Sequence, residues 1–225
     1  MSYSIPVFTS KGYGKLTQSA GTVITRLVEP VKNAFTRLVS VWYTAGATAH
    51  TLTVMRPLNR VTFTAADAAG QAVVNISADP GNYTGIRTAD NTIAANDFVV
   101  YESADGTFVL DTVSSVSSLA ITLTSNVPTG GVLVGGYFWW YGIITDTNPN
   151  DATAHPQYTL PASVTTYLGT DAGEGIAGFV GSIPGNQKAG SLINVNGKYE
   201  PLILHSGNAT NAGVLEKATA IYTKT

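Results

Sequence analysis

Asp105-Gly106, set between two runs of alternating apolar residues, constrains the fold of this chain more than any other feature. Phe98 and Val100 precede Ala104-Asp105-Gly106, and Phe108 and Leu110 follow it. A period of two on both sides of a turn is the pattern of a half-buried hairpin. Asp-Gly tolerates the positive φ that two-residue hairpin turns require. Leu119, Ile121 and Leu123 then alternate with Ala120, Thr122 and Thr124. The stretch 97–128 therefore predicts a compact antiparallel meander, and none of its residues suggests catalysis.

The rest of the chain has composition to match. Of its 225 residues, 44% are hydrophobic, 12% are charged, 23 are Gly and 30 are Thr. Low charge with abundant Thr, Val, Gly and Ala is β-rich composition. A charged share well below the usual ~25% also suggests that part of the surface is covered by partners. The net charge of −2 supplies no basic field for nucleic acid. Lys11, Lys15, Arg26, Lys32 and Arg37 give the first forty residues a local basic excess, with Glu29 the one acid among them. With no cysteine there is no disulfide, zinc thiolate site or cysteine nucleophile. The first residues lack a basic region followed by an apolar one, so no signal peptide is expected. The most apolar run, 130–144, is shorter than the ~20 residues of a membrane helix and reads as buried strand.

Turn signals divide the chain into about a dozen short strands, the spacing of an antiparallel sandwich or barrel. Residues 1–34 read as an extended N-terminal arm. Residues 35–87 and 131–225 read as the main β domain, with 88–130 as a small inserted barrel or meander. Residues 35–43 carry apolar groups on both sides of the pleat, which predicts a central strand covered on both faces. Only residues 65–72 have local helix propensity, and Gly70 weakens it. Rings on both sides of Tyr137–Tyr141 predict that both faces of that strand are covered. Residues 171–190 form a long Gly-rich loop, and Asn196-Gly197 signals a second hairpin.

No catalytic constellation emerges. His50, His155 and His205 read as structural or surface residues, and no Ser lies in a nucleophile elbow. Asp146, Asp151, Asp171 and Glu174 lie in Asn- and Gly-rich loops, where Asp serves turn geometry. Asp146, Asn148, Asn150 and Asp151 have the oxygen donors of a calcium loop without its spacing or terminal Glu. GYGK near residue 12 lacks the phosphate-loop spacing. Trp42, Trp139, Trp140 and Tyr141 could stack sugars, but apolar flanks favour core or interface. The expectation is no enzyme, no metal and no cofactor.

Four strings carry a resemblance: TAGATAHTLTVMRPL, AANDFVVYESADGTFVLDTVSSVSSLAITLT, GYFWWYGIITDTNP and PLILHSGNATNAGVLEKATAIY. Together, over residues 44–222, they resemble virion structural proteins of tailed bacteriophages, above all head-decoration or cement proteins. The resemblance implies a β-rich homotrimer or homodimer, made in the host cytoplasm, that binds the major capsid protein on the outside of the head and stabilises the shell. Neither nucleic acid nor membrane is an implied partner. The expected capsid or oligomer contacts are Lys11, Lys15, Arg26, Lys32, Trp139, Trp140 and Tyr141. In this reading the arm, 2–32, reaches the shell or a neighbour, and deleting residues 1–30 would abolish binding while sparing the fold. The alternative is a tail-associated or receptor- and glycan-binding β module that uses the loop 171–190.

Overall fold

The computed structural model describes residues 7–18, 23–80, 92–142, 157–160, 162–169, 199–206 and 212–224. Those residues form fifteen strands, every pairing between them is antiparallel, and none of the described residues is helical. The first five strands are β1 (Val7–Tyr13), β2 (Leu16–Gln18), β3 (Thr25–Val28), β4 (Ala34–Ala45) and β5 (His50–Met55). Then come β6 (Asn59–Thr62), β7 (Val73–Asn75), β8 (Phe98–Glu102), β9 (Phe108–Ser117), β10 (Ala120–Leu123) and β11 (Tyr137–Gly142). The last four are β12 (Gln157–Leu160), β13 (Thr165–Gly169), β14 (Leu202–Ser206) and β15 (Gly213–Lys224). The chain divides into two compact units, residues 1–55 with 155–225, and residues 56–154.

The first unit is a sandwich of two sheets. β1 and β2 pair with β15 in one unbroken register, from Val7↔Lys224 to Gln18↔Gly213, so they are a single edge strand interrupted at Gly14-Lys15. Counted this way, eight strands form sheets ordered β1/β2-β15-β4-β13 and β12-β5-β14-β3. The first strand pairs with the last, β3 with β14, β4 with β13 and β5 with β12. This nesting is the double Greek key of the jelly roll. One core joins the sheets: Leu38, Val41, Tyr43, Leu215 and Tyr222 on one side, Val28, Leu52, Val54, Leu160 and Leu204 on the other.

Two irregularities decide which residues face that core. The β4–β15 register shifts between Leu215 and Lys217 and again between Thr219 and Ala220. Along β4, Ala34 and Leu38 point inward, then the phase changes and Val41, Tyr43 and Ala45 do so. An extra residue in one strand flips every side chain beyond it. β4 is therefore central in its sheet, but its outer face is not covered as the apolar pattern suggested: Trp42 remains 44% exposed.

The second unit is a six-stranded barrel. Its sheet runs β6-β11-β8-β9-β10-β7. An antiparallel bridge between Phe63 and Ile76 brings the two ends together. Thr64 N–H donates to Asn75 O (2.9 Å) and Ser77 N–H to Thr62 O (2.8 Å) across the same seam. Closure removes the exposed sheet edges. Every strand sends residues inside, among them Val61, Val74, Val99, Val113, Ile121, Phe138 and Trp140. Trp140 Nε1 donates to the buried Asp97 carboxylate (2.7 Å), which also accepts Ala94 N–H (2.9 Å).

Several expectations change against this architecture. The barrel is wider than 88–130, because β6, β7 and β11 belong to it. Residues 7–18 and 25–28 are not a free arm but strands of the jelly roll, held by pairing with residues near the other end of the chain. Residues 65–72 form turn and irregular backbone with no helix. In the meander the period is as read but the inner face is the opposite one: Val99, Tyr101 and Val113 enter the barrel, while Phe98, Val100, Phe108 and Leu110 alternate with the inward positions. Its turn is a three-residue loop. Ser103 N–H donates to Thr107 O and Gly106 N–H to Ser103 O, both at 2.9 Å, and within the loop only Gly106 takes positive φ (81°). Asp105 caps this turn by accepting Thr107 Oγ1–H (2.7 Å) and N–H (3.0 Å), which hold its carboxyl below the usual range. The Asn196-Gly197 hairpin and the loop 171–190 lie outside the described residues.

Candidate functional site

Buried titratable groups of the jelly roll tie its two sheets together. His50, at the start of β5, lies beside Tyr43 of the opposite sheet, Nδ1 to Oη 2.9 Å. Tyr43 Oη donates to Gln18 Oε1 (3.2 Å), which also accepts Ser206 Oγ–H (2.8 Å). With Tyr43 donating to Gln18, the His50 Nδ1–H donates to Tyr43. His50 Nε2 is then a buried lone pair with no partner. Burial pushes the imidazole below its usual value and the Tyr43 phenol above its own. Gly213 borders this network, and a Cβ there would come within 2.5 Å of Tyr43 Oη and 2.8 Å of His50 Cε1. A second tie joins the sheets where Tyr222 donates to Glu29 O and lies 2.8 Å from Tyr13 Oη. Burial raises both phenols, most of all Tyr13.

His205 meets Thr25 Oγ1 (3.1 Å) within the β3–β14 pair. Among the described residues no three of His, Cys, Asp and Glu converge on a possible metal position. His155, Asp146, Asn148, Asn150, Asp151, Asp171 and Glu174 lie outside the described residues.

The expected contact residues do not form one surface. Lys11 is exposed on β1, ion-paired with Glu29 and 5.3 Å from the centre of the Tyr13 ring. Lys15 pairs with Glu216 (3.3 Å), and the Arg26 guanidinium donates to Gly14 O (3.0 Å). Lys32 is exposed in the turn before β4. The local basic excess is thus partly neutralised by Glu29 within the same stretch and by Glu216 from the other end of the sequence. Trp139, Trp140 and Tyr141 are at most 1% exposed, so they present no contact surface. Trp140 fills the barrel, Trp139 packs near Phe108 and Tyr137, and Tyr141 occupies the β-bulge between Trp140 and Gly142.

Sequence reading missed the outer face of the β1/β2-β15-β4-β13 sheet. Glu216 is the extra residue of the β15 bulge, opposite Tyr43 and Trp42. A row of polar contacts crosses the face: Lys15 Nζ pairs with Glu216 (3.3 Å), Thr44 Oγ1–H donates to Glu216 Oε1 (3.3 Å), and Thr44 Oγ1 lies 2.8 Å from Thr165 Oγ1. Trp42 stands next to this row in β4, with Lys217 as its partner on β15. The bulge depends on a pairing between residues 40 and 217, which no local pattern reveals.

The fold and these groups define an all-β protein, a jelly roll with a closed barrel inserted between its fourth and fifth strands. No protein-family model matches the chain, and no curated protein does. Among solved structures it is similar to VP17, a capsid protein of bacteriophage P23-77, at 8% identity over 99% of both chains with a TM-score of 0.24. It is also similar to the VP16–VP17 complex of the two major capsid proteins of that phage, at 10% identity, 96% of this chain, 99% of that one and a TM-score of 0.25. A third likeness is to the infectious bursal disease virus VP2 subviral particle, at 11% identity, 96% of this chain, 42% of that one and a TM-score of 0.14. The jelly-roll assignment rests on the strand pairings.

Proposed function

We propose that this chain is a structural protein of a bacteriophage virion, bound on the outside of the capsid shell and stabilising it. The jelly-roll topology carries this reading. That architecture serves viral capsids, lectins and cupins, and the metal-binding histidine cluster of a cupin-type enzyme has no counterpart among the described residues. The resemblance of residues 44–222 to phage virion proteins and the low charge support the same choice. A subunit that binds only the assembled lattice stabilises it by mass action, and repetition over many sites lets modest contacts hold a shell. The major capsid protein is the proposed partner, with a homotrimer or homodimer as the proposed form. A fold fixes no function by itself, so location is the decisive observation.

The topology also favours a second reading, in which the chain builds the shell itself. Immunogold labelling of purified virions, followed by mild denaturant, separates the possibilities. Even label over the heads, lost while intact shells remain, is the result expected of a stabilising outer protein. Label that leaves only as the shell falls apart would identify a shell-building subunit. Label confined to tails would move the chain to a tail-associated role, and absence of label would remove it from the virion.

A further inference from the structure

We propose that the outer face of the β1/β2-β15-β4-β13 sheet is a carbohydrate-binding platform centred on Trp42, for a chain of pyranose sugars. The chain has three tryptophans. Trp139 and Trp140 are buried, and Trp42 is 44% exposed although it lies in a central strand. An indole held on a rigid strand offers a flat π surface with a negative face. The axial C–H groups of a pyranose carry the complementary partial charge and stack on such a surface. The equatorial hydroxyls then point to the ring's edge, where they need acceptors and donors.

The bulge at Glu216 supplies both. Two successive residues of β15, Glu216 and Lys217, oppose the Tyr43–Trp42 step, and re-aiming side chains in this way is what bulges do. The Glu216 carboxylate is fixed by Thr44 and Lys15, so it is an oriented acceptor that costs little further ordering on binding. The exposed Lys217 ammonium is a donor at Trp42's own register position. The Thr44 and Thr165 hydroxyls extend the polar row along the sheet. A second protein copy fits this face less well. Interface cores around an anchoring Trp are depleted of charge, and here Lys15, Glu216 and Lys217 lie on the same face of the sheet. The platform does not depend on the virion reading.

Full-length protein titrated with maltotetraose, cellotetraose, chitotetraose and mannotetraose provides the test. The readouts are tryptophan fluorescence and protection from N-bromosuccinimide, which oxidises accessible indoles. At least one sugar should shift the fluorescence and protect one tryptophan. Trp42→Ala should then weaken binding at least tenfold with an unchanged circular dichroism spectrum, and Glu216→Gln should weaken it by a smaller factor. The protection measurement on the unaltered protein decides the matter if Trp42→Ala fails to fold. No response to any of the four sugars would overturn the proposal, as would undiminished binding by a folded Trp42→Ala. Protection that instead grows with protein concentration, alongside dimers in sedimentation, would also overturn it and give the face to a second copy.

Discussion

At His50 a single unfilled hydrogen-bonding position couples the jelly roll to pH. Its Nδ1 is engaged with Tyr43, and its buried Nε2 faces no acceptor. Adding a proton there would bury both a charge and an unsatisfied donor, which is the physical origin of the lowered value. The unfolded chain, with an ordinary value of about 6.5, takes up the proton first as pH falls. The stability that neutral His50 contributes is therefore complete above about pH 6.5 and is lost as pH drops toward the folded value. The urea midpoint should be lower at about pH 5.5 than at about pH 7.5, and His50→Asn should flatten that dependence. An undiminished pH slope in the variant would show that His50 is not its source. His50 was legible in the sequence as a strand-opening structural residue. The rest of the network around Tyr43 was not, because Gln18 and Ser206 come from opposite ends of the chain and only the rolled-up topology brings them together beside it.

Strands were legible where their pattern is local and obscured where a bulge changes phase. The meander and β5 follow the alternation of their residues, whereas β15 changes phase at Glu216. β4 read as apolar on both sides because Leu38 and Val41 both face the core, one on each side of a register shift. Residues 7–18 read as an arm because Gly12, Gly14 and two lysines weaken the local pattern, and β15 supplies the missing order. The bulge in β15 gives a direct test of this account. Deleting Glu216 would turn Ala218, Ala220 and Tyr222 away from the core, since one residue reverses the faces of a strand. Exposing Tyr222 alone would cost about 1.5–3 kcal/mol, so the deletion should abolish cooperative thermal unfolding or lower the midpoint sharply. Glu216→Ala keeps the extra residue and removes only partly exposed polar contacts, so it should cost under about 1 kcal/mol. Equal effects from the two changes would mean that the carboxylate, not the bulge, sets the faces. The same reasoning applies to deleting residues 1–30, which removes an edge strand and β3 and should unfold the jelly roll rather than merely detach an arm.

Over the whole molecule, the two-unit division depends on pairings that no local signal contains. The sequence shows the meander, but β7 joins it through its pairing with β10, β11 and β6 through the pairings of β11 with β8 and β6, and the Phe63–Ile76 seam closes the ring. The nested order of the jelly roll lies likewise in long-range contacts such as Val7↔Lys224. Nesting also shows how an insertion of this size can be accommodated. β5 and β12 are antiparallel neighbours, paired from Thr53↔Gln157 to His50↔Leu160, so the ends that flank the barrel emerge side by side. A hairpin turn spans such a gap, and lengthening a connection there costs only the slow logarithm of loop closure. Replacing residues 56–154 with a short Asn-Gly turn should therefore leave a folded jelly roll. Its circular dichroism should remain β-rich, its unfolding cooperative, and tryptophan emission should report Trp42 alone, since Trp139 and Trp140 leave with the barrel. Collapse of the shortened protein into a non-cooperative state would show that the jelly roll requires the barrel. A folded product would show that the barrel is an elaboration of the β5–β12 connection, free to vary while the sandwich that bears Trp42 stays constant.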